Sequence, residues 1–121
     1  MDNFFIPNEA EFRIIEEIAA SDSDCSVVMM NLNKYLEEAG YPDGQPYSDW
    51  MKVLDVLIKQ AGGKKLWQLP VLGQPIGNQD LDEIIAVWYP SHQAFLSITQ
   101  RPASEENFRL RNICVKYAVL H

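Results

Sequence analysis

Two short runs of apolar residues constrain this chain more than any other feature. Residues 27–30 read Val-Val-Met-Met and residues 84–88 read Ile-Ile-Ala-Val-Trp, and neither run alternates with polar residues. Both have the length and composition of β-strands, so we predict two strands that are apolar on both faces. A strand with one face in water alternates apolar and polar side chains. The two runs therefore predict the central strands of a sheet that is covered on both sides.

The remaining pattern predicts an α+β fold around these two strands. A long irregular loop is expected over 37–47, and Pro70 indicates that the second strand lies at a sheet edge or ends there. A glycine of the pair 62–63 is expected to close the helix that starts at 48 or 49 in a left-handed conformation. The order strand, helix, strand, strand, helix, strand is that of the ferredoxin-like βαββαβ fold, a four-stranded antiparallel sheet with two helices on one face. The predicted strands are 25–31, 65–69, 83–89 and 115–119, and the predicted helices start at 48 or 49 and at 91, the second resuming from 104 to 112.

The N-terminal segment is predicted to be a helical arm added to this unit. Asn8 is placed to cap a helix, with Glu11 three residues later as in a capping box. Phe12, Ile15 and Ile18 then recur at helical spacing within a helix expected over 4–20. We therefore divide the chain into an arm at 1–24 and an α+β-barrel domain at 25–121.

Two helices cover only one face of a four-stranded sheet, and the other face needs its own cover. An open apolar face of that size exceeds what monomers usually expose. We therefore predict a homodimer, in which a second copy of the chain packs face to face about a two-fold axis. The alternative is that the N-terminal arm folds over this face within one chain. We expect Ile85 to lie on the uncovered face.

Composition and charge exclude several classes of protein. The 121 residues hold 10 Lys and Arg against 17 Asp and Glu, a net charge of −7, and are 47% hydrophobic. Such a chain can form one domain with its own core, and its acidic balance argues against nucleic acid and anionic membranes as partners. The apolar runs are far shorter than a membrane span, and the N-terminus lacks the positive region of a signal peptide, so a cytoplasmic location is expected.

Metal, haem and thiol chemistry find little support in the sequence. The only histidines are His92 and His121, and neither has ligand spacing to another donor, so no metal site and no cofactor are predicted. His92 is expected to be solvent-exposed, with a role as haem ligand or general base as the alternative. Cys25 and Cys114 are expected at opposite ends of neighbouring strands, which is too far for a disulfide, and as buried structural thiols.

A set of polar and aromatic residues near the first central strand predicts a small-molecule pocket between sheet and helices. Asn31 ends that strand on the face of Val27 and Met29. Arg109 could bind a carboxylate or enolate, unless it pairs with Glu105 or Asp82, and Tyr47 or Asp82 could relay a proton. The candidate ligand-binding residues are Asn31, Tyr47, Trp67, Asp82, Trp88 and Arg109.

Several motifs resemble a family of short bacterial proteins of unknown function in the dimeric α+β-barrel superfamily. The sharpest are Tyr-Pro-Ser-x-x-Ala-Phe-Leu at 89–96 and the Gly-Gly pair at 62–63 before the Trp67 strand, and the resemblance covers residues 27 to 120. It implies a homodimer and, from other members of the superfamily, cofactor-independent monooxygenase- or isomerase-like chemistry as one option. Phe108 stands where the family pattern has a His, so proton chemistry by that His is lost here.

The sequence thus leaves two functions open. One is a homodimer that binds a small organic molecule, aromatic or polyketide-like, between sheet and helices. The other is a non-catalytic dimerisation or interaction module whose interior is filled by its own side chains. Fold membership does not choose between them, because one fold hosts many functions.

Overall fold

The computed structural model describes residues 7–121. Within this range no helix is long and apolar enough to cross a membrane. Two short 3-10 helices span Glu37–Ala39 and Ser97–Gln100. The main elements in chain order are α1 (Glu9–Ala19), β1 (Val27–Tyr35), α2 (Gln45–Gln60), β2 (Lys64–Pro70), β3 (Glu83–Tyr89), α3 (His92–Leu96), α4 (Ser104–Cys114) and β4 (Val115–Leu120).

The four strands form one antiparallel sheet in the order β2-β3-β1-β4. The two strands with continuous apolar runs, β1 and β3, are central, and β2 lies at an edge, where Pro70 costs no ladder hydrogen bond. The predicted α+β fold with a four-stranded antiparallel sheet is confirmed.

The register defines which side chains share a face. Met29 pairs with Val87, and Asn31 pairs with Ile85. Met29, Ile85 and Val87 all belong to a buried cluster with residues of the helices, so we call this side the inner face. The expectation that Ile85 lies on the uncovered face is wrong: it is 1% exposed beneath the helices. A continuous apolar run does not reveal the phase of a strand, because either set of alternate residues could face the helices.

The opposite side, the outer face, is apolar along both central strands. Its cross-strand pairs are Val28 with Trp88, Met30 with Ala86, and Leu32 with Ile84. On β2 the same side carries Trp67 opposite Ala86 and Leu69 opposite Ile84. Val28, Trp67 and Leu69 are 42%, 41% and 58% exposed.

The four helices all pack on the inner side. Phe12 of α1, Ile58 of α2 and Phe95 of α3 join the cluster around Met29, and Leu110 of α4 joins a second cluster around Tyr35. In the described part of the arm, α1 therefore adds to the helical layer and leaves the outer face open. This removes the main support for the arm as cover of that face, although the stretch 1–6 of the predicted helix 4–20 lies outside the described residues.

The helix ends in the structure agree in part with those predicted from the sequence. Ser91 caps α3, accepting from the Ala94 amide at 2.9 Å, and Gly62 has φ +79° after α2 as predicted. Asn8 occupies the N-cap position of α1, but its side chain makes no capping hydrogen bond.

The predicted loop 37–47 is more regular than expected, and α2 begins at Gln45 rather than at 48 or 49. Gly44 precedes the helix where a Cβ would lie 2.5 Å from the Cα of Gly40. Only glycine allows this close approach, which turns the chain tightly enough to start α2 early.

Candidate functional site

A cavity of about 940 Å³ lies between the inner face of the sheet and the helices. Its walls come from every helix and from β1, β3 and β4. Because the central strands form the floor and the four α-helices form the roof, the cavity belongs to the fold itself rather than to a surface loop.

One end of the cavity is apolar. Phe12 and Ile15 of α1, Val87 of β3, and Phe95 and Ile98 from the segment after β3 line it. Phe95 packs edge to face on Tyr89, with ring centroids 5.5 Å apart. This end continues the buried cluster around Met29 and contacts a ligand mainly through apolar side chains, with Asn8 and Glu11 at the start of α1 as the polar residues of the lining there.

The other end of the cavity is polar. Asn33 of β1 and Asn107 and Arg111 of α4 line it. The Oδ1 atom of Asn107 accepts a hydrogen bond of 2.9 Å from the Trp50 indole, which leaves the amide nitrogen with its two N–H donors for another partner. Burial lowers the pKa of the Arg111 guanidinium, since water is removed from around its charge.

Asn31 lies between the two ends and is the one predicted ligand-binding residue in the cavity lining. Its amide nitrogen is 3.3 Å from the carbonyl oxygen of Ile85 and 3.4 Å from that of Met29, both long for hydrogen bonds. Its position in the cavity agrees with the sequence prediction, whereas its binding of a ligand stays a prediction.

A buried carboxylate lies next to the polar end, in what we call the Glu83 cluster: Glu83, Tyr35, Tyr47, Gln68 and Asn33. Glu83 is 4% exposed and accepts from Tyr35 at 2.5 Å, from Tyr47 at 2.8 Å and from Gln68 at 2.8 Å. Asn33 donates to the Tyr35 hydroxyl at 3.3 Å and also lines the cavity. The cluster therefore joins β1, α2, β2 and β3 and reaches the cavity through Asn33.

Electrostatics keep the tyrosines of this cluster protonated. Burial, followed by the nearby Glu83 carboxylate, raises the pKa of Tyr35 far above its usual value. Burial and the hydrogen bond to Glu83 do the same to the pKa of Tyr47. Both hydroxyls are thus fixed donors to the Glu83 side chain, whose oxygens accept from them.

Three other predicted residues take structural positions outside the cavity. Tyr47 is committed to the Glu83 cluster. Trp67 and Trp88 lie on the outer face, and the Lys64 ammonium is 5.6 Å from the centre of the Trp88 ring. None of the three is among the described residues that line the cavity.

Asp82 and Arg109 also lie apart from it. Asp82 accepts from the Tyr35 backbone amide at 2.9 Å, lies 3.5 Å from Lys34 and borders a second, smaller cleft of about 330 Å³. Arg109 is exposed and forms a bidentate pair with Glu106, with both distances 2.7 Å. The sequence predicted an ion pair with Glu105 or Asp82 as the alternative to ligand binding. The structure shows an ion pair, but with Glu106 instead.

His92 and Cys25 differ from expectation. The His92 side chain is 12% exposed, because its Nδ1 lies 2.9 Å from the Asp24 carboxylate, which also accepts from the His92 backbone amide at 2.7 Å. Cys25 is exposed rather than buried, while Cys114 is buried, and both are free thiols. Within residues 7–121, no group of three His, Cys, Asp or Glu side chains is arranged to hold a metal ion.

Glu83, Asn107 and Arg111 were not among the residues predicted from the sequence. Glu83 looked like the polar first residue of a strand. Asn107 and Arg111 are four residues apart on one helix and therefore share a face with each other. Leu110 between them is buried in the structure. The helical spacing of two polar residues around an apolar one was the signal available in the sequence.

Solved structures show the same fold. The chain aligns over its full length with 93% of a methylated form of the RPA0582 protein, at 25% identity and a TM-score of 0.77. A second structure, of the RPA0582 protein of unknown function from Rhodopseudomonas palustris, aligns over 98% of this chain and 94% of its own at 23% identity and the same TM-score. No family model and no curated protein matches the chain. The fold is thus shared with an uncharacterised bacterial protein.

Proposed function

We propose that this protein is a homodimer that binds a small organic molecule between the inner face of its sheet and its helices. The observation that supports this best is the cavity of about 940 Å³, with aromatic and aliphatic walls and a few polar groups at one end. Binding sites for small molecules are commonly mostly apolar clefts of about 300–1,000 Å³ with a few placed polar groups. An interior filled by its own side chains, as the alternative function requires, would lack this space.

The outer face supports the homodimer. It presents paired apolar side chains along both central strands, with Trp67 and Leu69 added by β2. Leu72 and Ile76, in the extension after β2, are 93% and 89% exposed and add apolar surface beyond the sheet. A second copy meeting this face about a two-fold axis matches it with an identical apolar face. Membership of the dimeric α+β-barrel superfamily is part of this proposal.

The alternative, a non-catalytic dimerisation module, is favoured by the same outer face but leaves the cavity without a role. Monooxygenase- or isomerase-like chemistry without a cofactor is one extension of the binding proposal. The cavity lining supports binding more directly than catalysis, because the buried Glu83 carboxylate reaches the cavity only through Tyr35 and Asn33. A cytoplasmic location is consistent with two free cysteines.

The test of binding uses a neutral aromatic probe, 2-naphthalenemethanol, titrated calorimetrically into the purified protein. Ala118 lines the cavity, and Ala118→Leu should occupy part of it and weaken binding by about tenfold, as one overpacked side chain does. Ala10→Leu is the control, because Ala10 is exposed on α1. Equal binding to both variants, or a wild type that binds neither this alcohol nor the matching carboxylate 2-naphthoate, would overturn the ligand proposal and favour the module.

The homodimer is tested separately by light scattering after size exclusion. We expect twice the 13.8 kDa mass of one chain. Native mass spectrometry of the same sample should show a bound small molecule if one is retained through purification. A mass of one chain at all concentrations would contradict the homodimer without affecting the cavity.

A further inference from the structure

The two ends of the cavity differ in polarity, and this difference restricts the chemistry of a ligand as well as its size. Phe12, Val87 and Phe95 surround one end, whereas Asn33, Asn107 and Arg111 surround the other. The order along the strands explains the separation: Met29 and Val87 pair near the start of β1, and Asn33 lies four residues further along. At about 3.3 Å per residue, the apolar and polar ends are roughly 13 Å apart. A ligand that fills the cavity is therefore in contact with both.

At the polar end Asn107 and Arg111 present donors, whereas Asn33, whose amide nitrogen donates to Tyr35, adds an acceptor oxygen. The Oδ1 atom of Asn107 is used by the Trp50 indole, so this side chain offers its amide N–H groups. Arg111 carries five N–H donors and a permanent charge. It already takes part in an interaction within the protein, and five donors allow it to keep that interaction and also bind a ligand. A planar acceptor with negative charge matches this set.

We propose that the cavity binds an aromatic or similarly apolar molecule that carries a carboxylate, with the carboxylate at Arg111 and Asn107 and the apolar body towards Phe12 and Phe95. The proposal rests on the function proposed above and names the ligand class of that site. Hydrogen bonds from a guanidinium to a carboxylate are about twice as strong as neutral ones and gain further where water is excluded.

Because the protein is acidic overall, an anionic ligand needs a positively charged group close to it in the cavity. The chain has a net charge of −7, and Glu11 of α1 also lines the cavity, although it is exposed. A carboxylate approaching such a surface is repelled at long range, while salt screens this repulsion beyond about 10 Å. Binding of an anion therefore depends on a positive group at short range, which Arg111 supplies from the cavity wall.

The experiment compares two probes of equal shape, 2-naphthoate and 2-naphthalenemethanol, by isothermal titration calorimetry at pH 7. We expect the wild type to bind the carboxylate at least about tenfold more tightly than the alcohol, the gain of a charge-assisted hydrogen bond. Arg111→Gln should abolish this preference and leave the affinity for the alcohol nearly unchanged. Arg111→Lys, which keeps the charge but not the planar fork, should retain part of it.

Arg109→Gln is the matched control, because Arg109 lies two residues away on the same helix, exposed and paired with Glu106. It should keep the full preference for the carboxylate. Equal binding of the two probes to the wild type would overturn the carboxylate proposal and leave the ligand site intact, and this comparison needs no variant to fold. A preference that survives Arg111→Gln, or is lost in Arg109→Gln, would also overturn it. Failure of both probes to bind would instead overturn the proposed function on which it rests.

Discussion

The two faces of the sheet differ in where their polar side chains lie. The inner face, beneath four helices, carries the polar side chains Asn31, Asn33, Gln68 and Glu83. The outer face, which none of the helices in residues 7–121 covers, is almost wholly apolar along the central strands. In a monomer with one wet sheet face, the polar residues would lie outside and the apolar residues beneath the helices.

This difference in polarity is the basis for proposing different roles for the two faces. Polar groups beneath helices are costly unless they are satisfied, and the Glu83 cluster satisfies its own while Asn31 and Arg111 border a cavity. An apolar outer face is costly in water and is stabilised by a partner. We therefore propose ligand recognition on the inner face and self-association on the outer face. The predictions below test that division.

The largest effect on stability is expected from Glu83→Leu, which removes the buried acceptor of the Glu83 cluster on the inner face. It leaves the Tyr35 and Tyr47 hydroxyls and the Gln68 amide without their buried acceptor. Stranded buried donors cost about 1–3 kcal/mol each before relaxation, so we expect a loss of roughly 3–5 kcal/mol in the free energy of unfolding, measured by urea denaturation. That is a large share of the stability of a domain this size.

Glu83→Gln is the control for this change, because it keeps the shape and one acceptor oxygen while removing the charge. We expect it to cost less than half as much as Glu83→Leu. If both variants unfolded at the same urea concentration as the wild type, the Glu83 cluster would contribute nothing to stability. The claim that this cluster stabilises the polar groups of the inner face would then be wrong.

The second prediction breaks the outer face. Val28 is 42% exposed there, and Val56 is 50% exposed on α2, which gives two valines of similar exposure in different places. Val28→Asp would bury a carboxylate in each half of a face-to-face dimer and should raise its dissociation constant by at least about 100-fold. Val56→Asp should leave it unchanged. Sedimentation or light scattering over a range of concentrations measures both.

Equal dissociation constants for Val28→Asp and Val56→Asp would show that copies do not meet through the outer face. A dimer weakened only by Val56→Asp would move the interface to the helices. Either result would leave the cavity and its proposed ligand untouched, since Val28 is not among the described residues that line it.

Much of the fold could be predicted because its signals are local. The period of apolar residues, Pro70 at the edge strand and Gly62 after α2 depend on neighbouring residues alone. The phase of β3 could not be predicted, because five consecutive apolar residues fit either face and only the helices decide which set is inner. The placement of Ile85 was wrong for that reason.

The site was harder to predict because its members meet only in three dimensions. Asn31 was found because it interrupts an apolar strand on the face of Met29, which is a local signal. Arg109 was predicted and Arg111 was not. Positions i and i+2 on a helix are about 200° apart, so only one of these two residues can face the sheet. Glu83 gave no signal, since its partners are 15 to 48 residues away in the chain.

A third prediction compares tryptophans on the two faces. Trp50→Phe removes the indole that donates to Asn107 at 2.9 Å and leaves a space in the core, where Trp50 is 3% exposed. We expect a loss of about 2 kcal/mol in the free energy of unfolding. Trp67→Phe, at a position 41% exposed on the outer face, should cost less than about 0.5 kcal/mol at low protein concentration. Losses of equal size would remove the distinction between a hydrogen-bonded inner layer and an apolar outer one.

The smallest effect is expected from the pH dependence of stability that Tyr89 adds to the inner face. Burial raises the pKa of Tyr89 from its usual value of 10.0 to about 12. Above pH 10 the unfolded chain therefore loses a proton that the folded chain retains, so this contribution is complete below pH 10 and is lost as the pH rises towards 12. Between pH 10 and 11 it amounts to about 1 kcal/mol. Urea denaturation at both pH values should show that Tyr89→Phe loses about that much less stability than the wild type over this interval. Equal losses would mean that the Tyr89 hydroxyl is reached by water, and the apolar end of the cavity would then be open rather than dry.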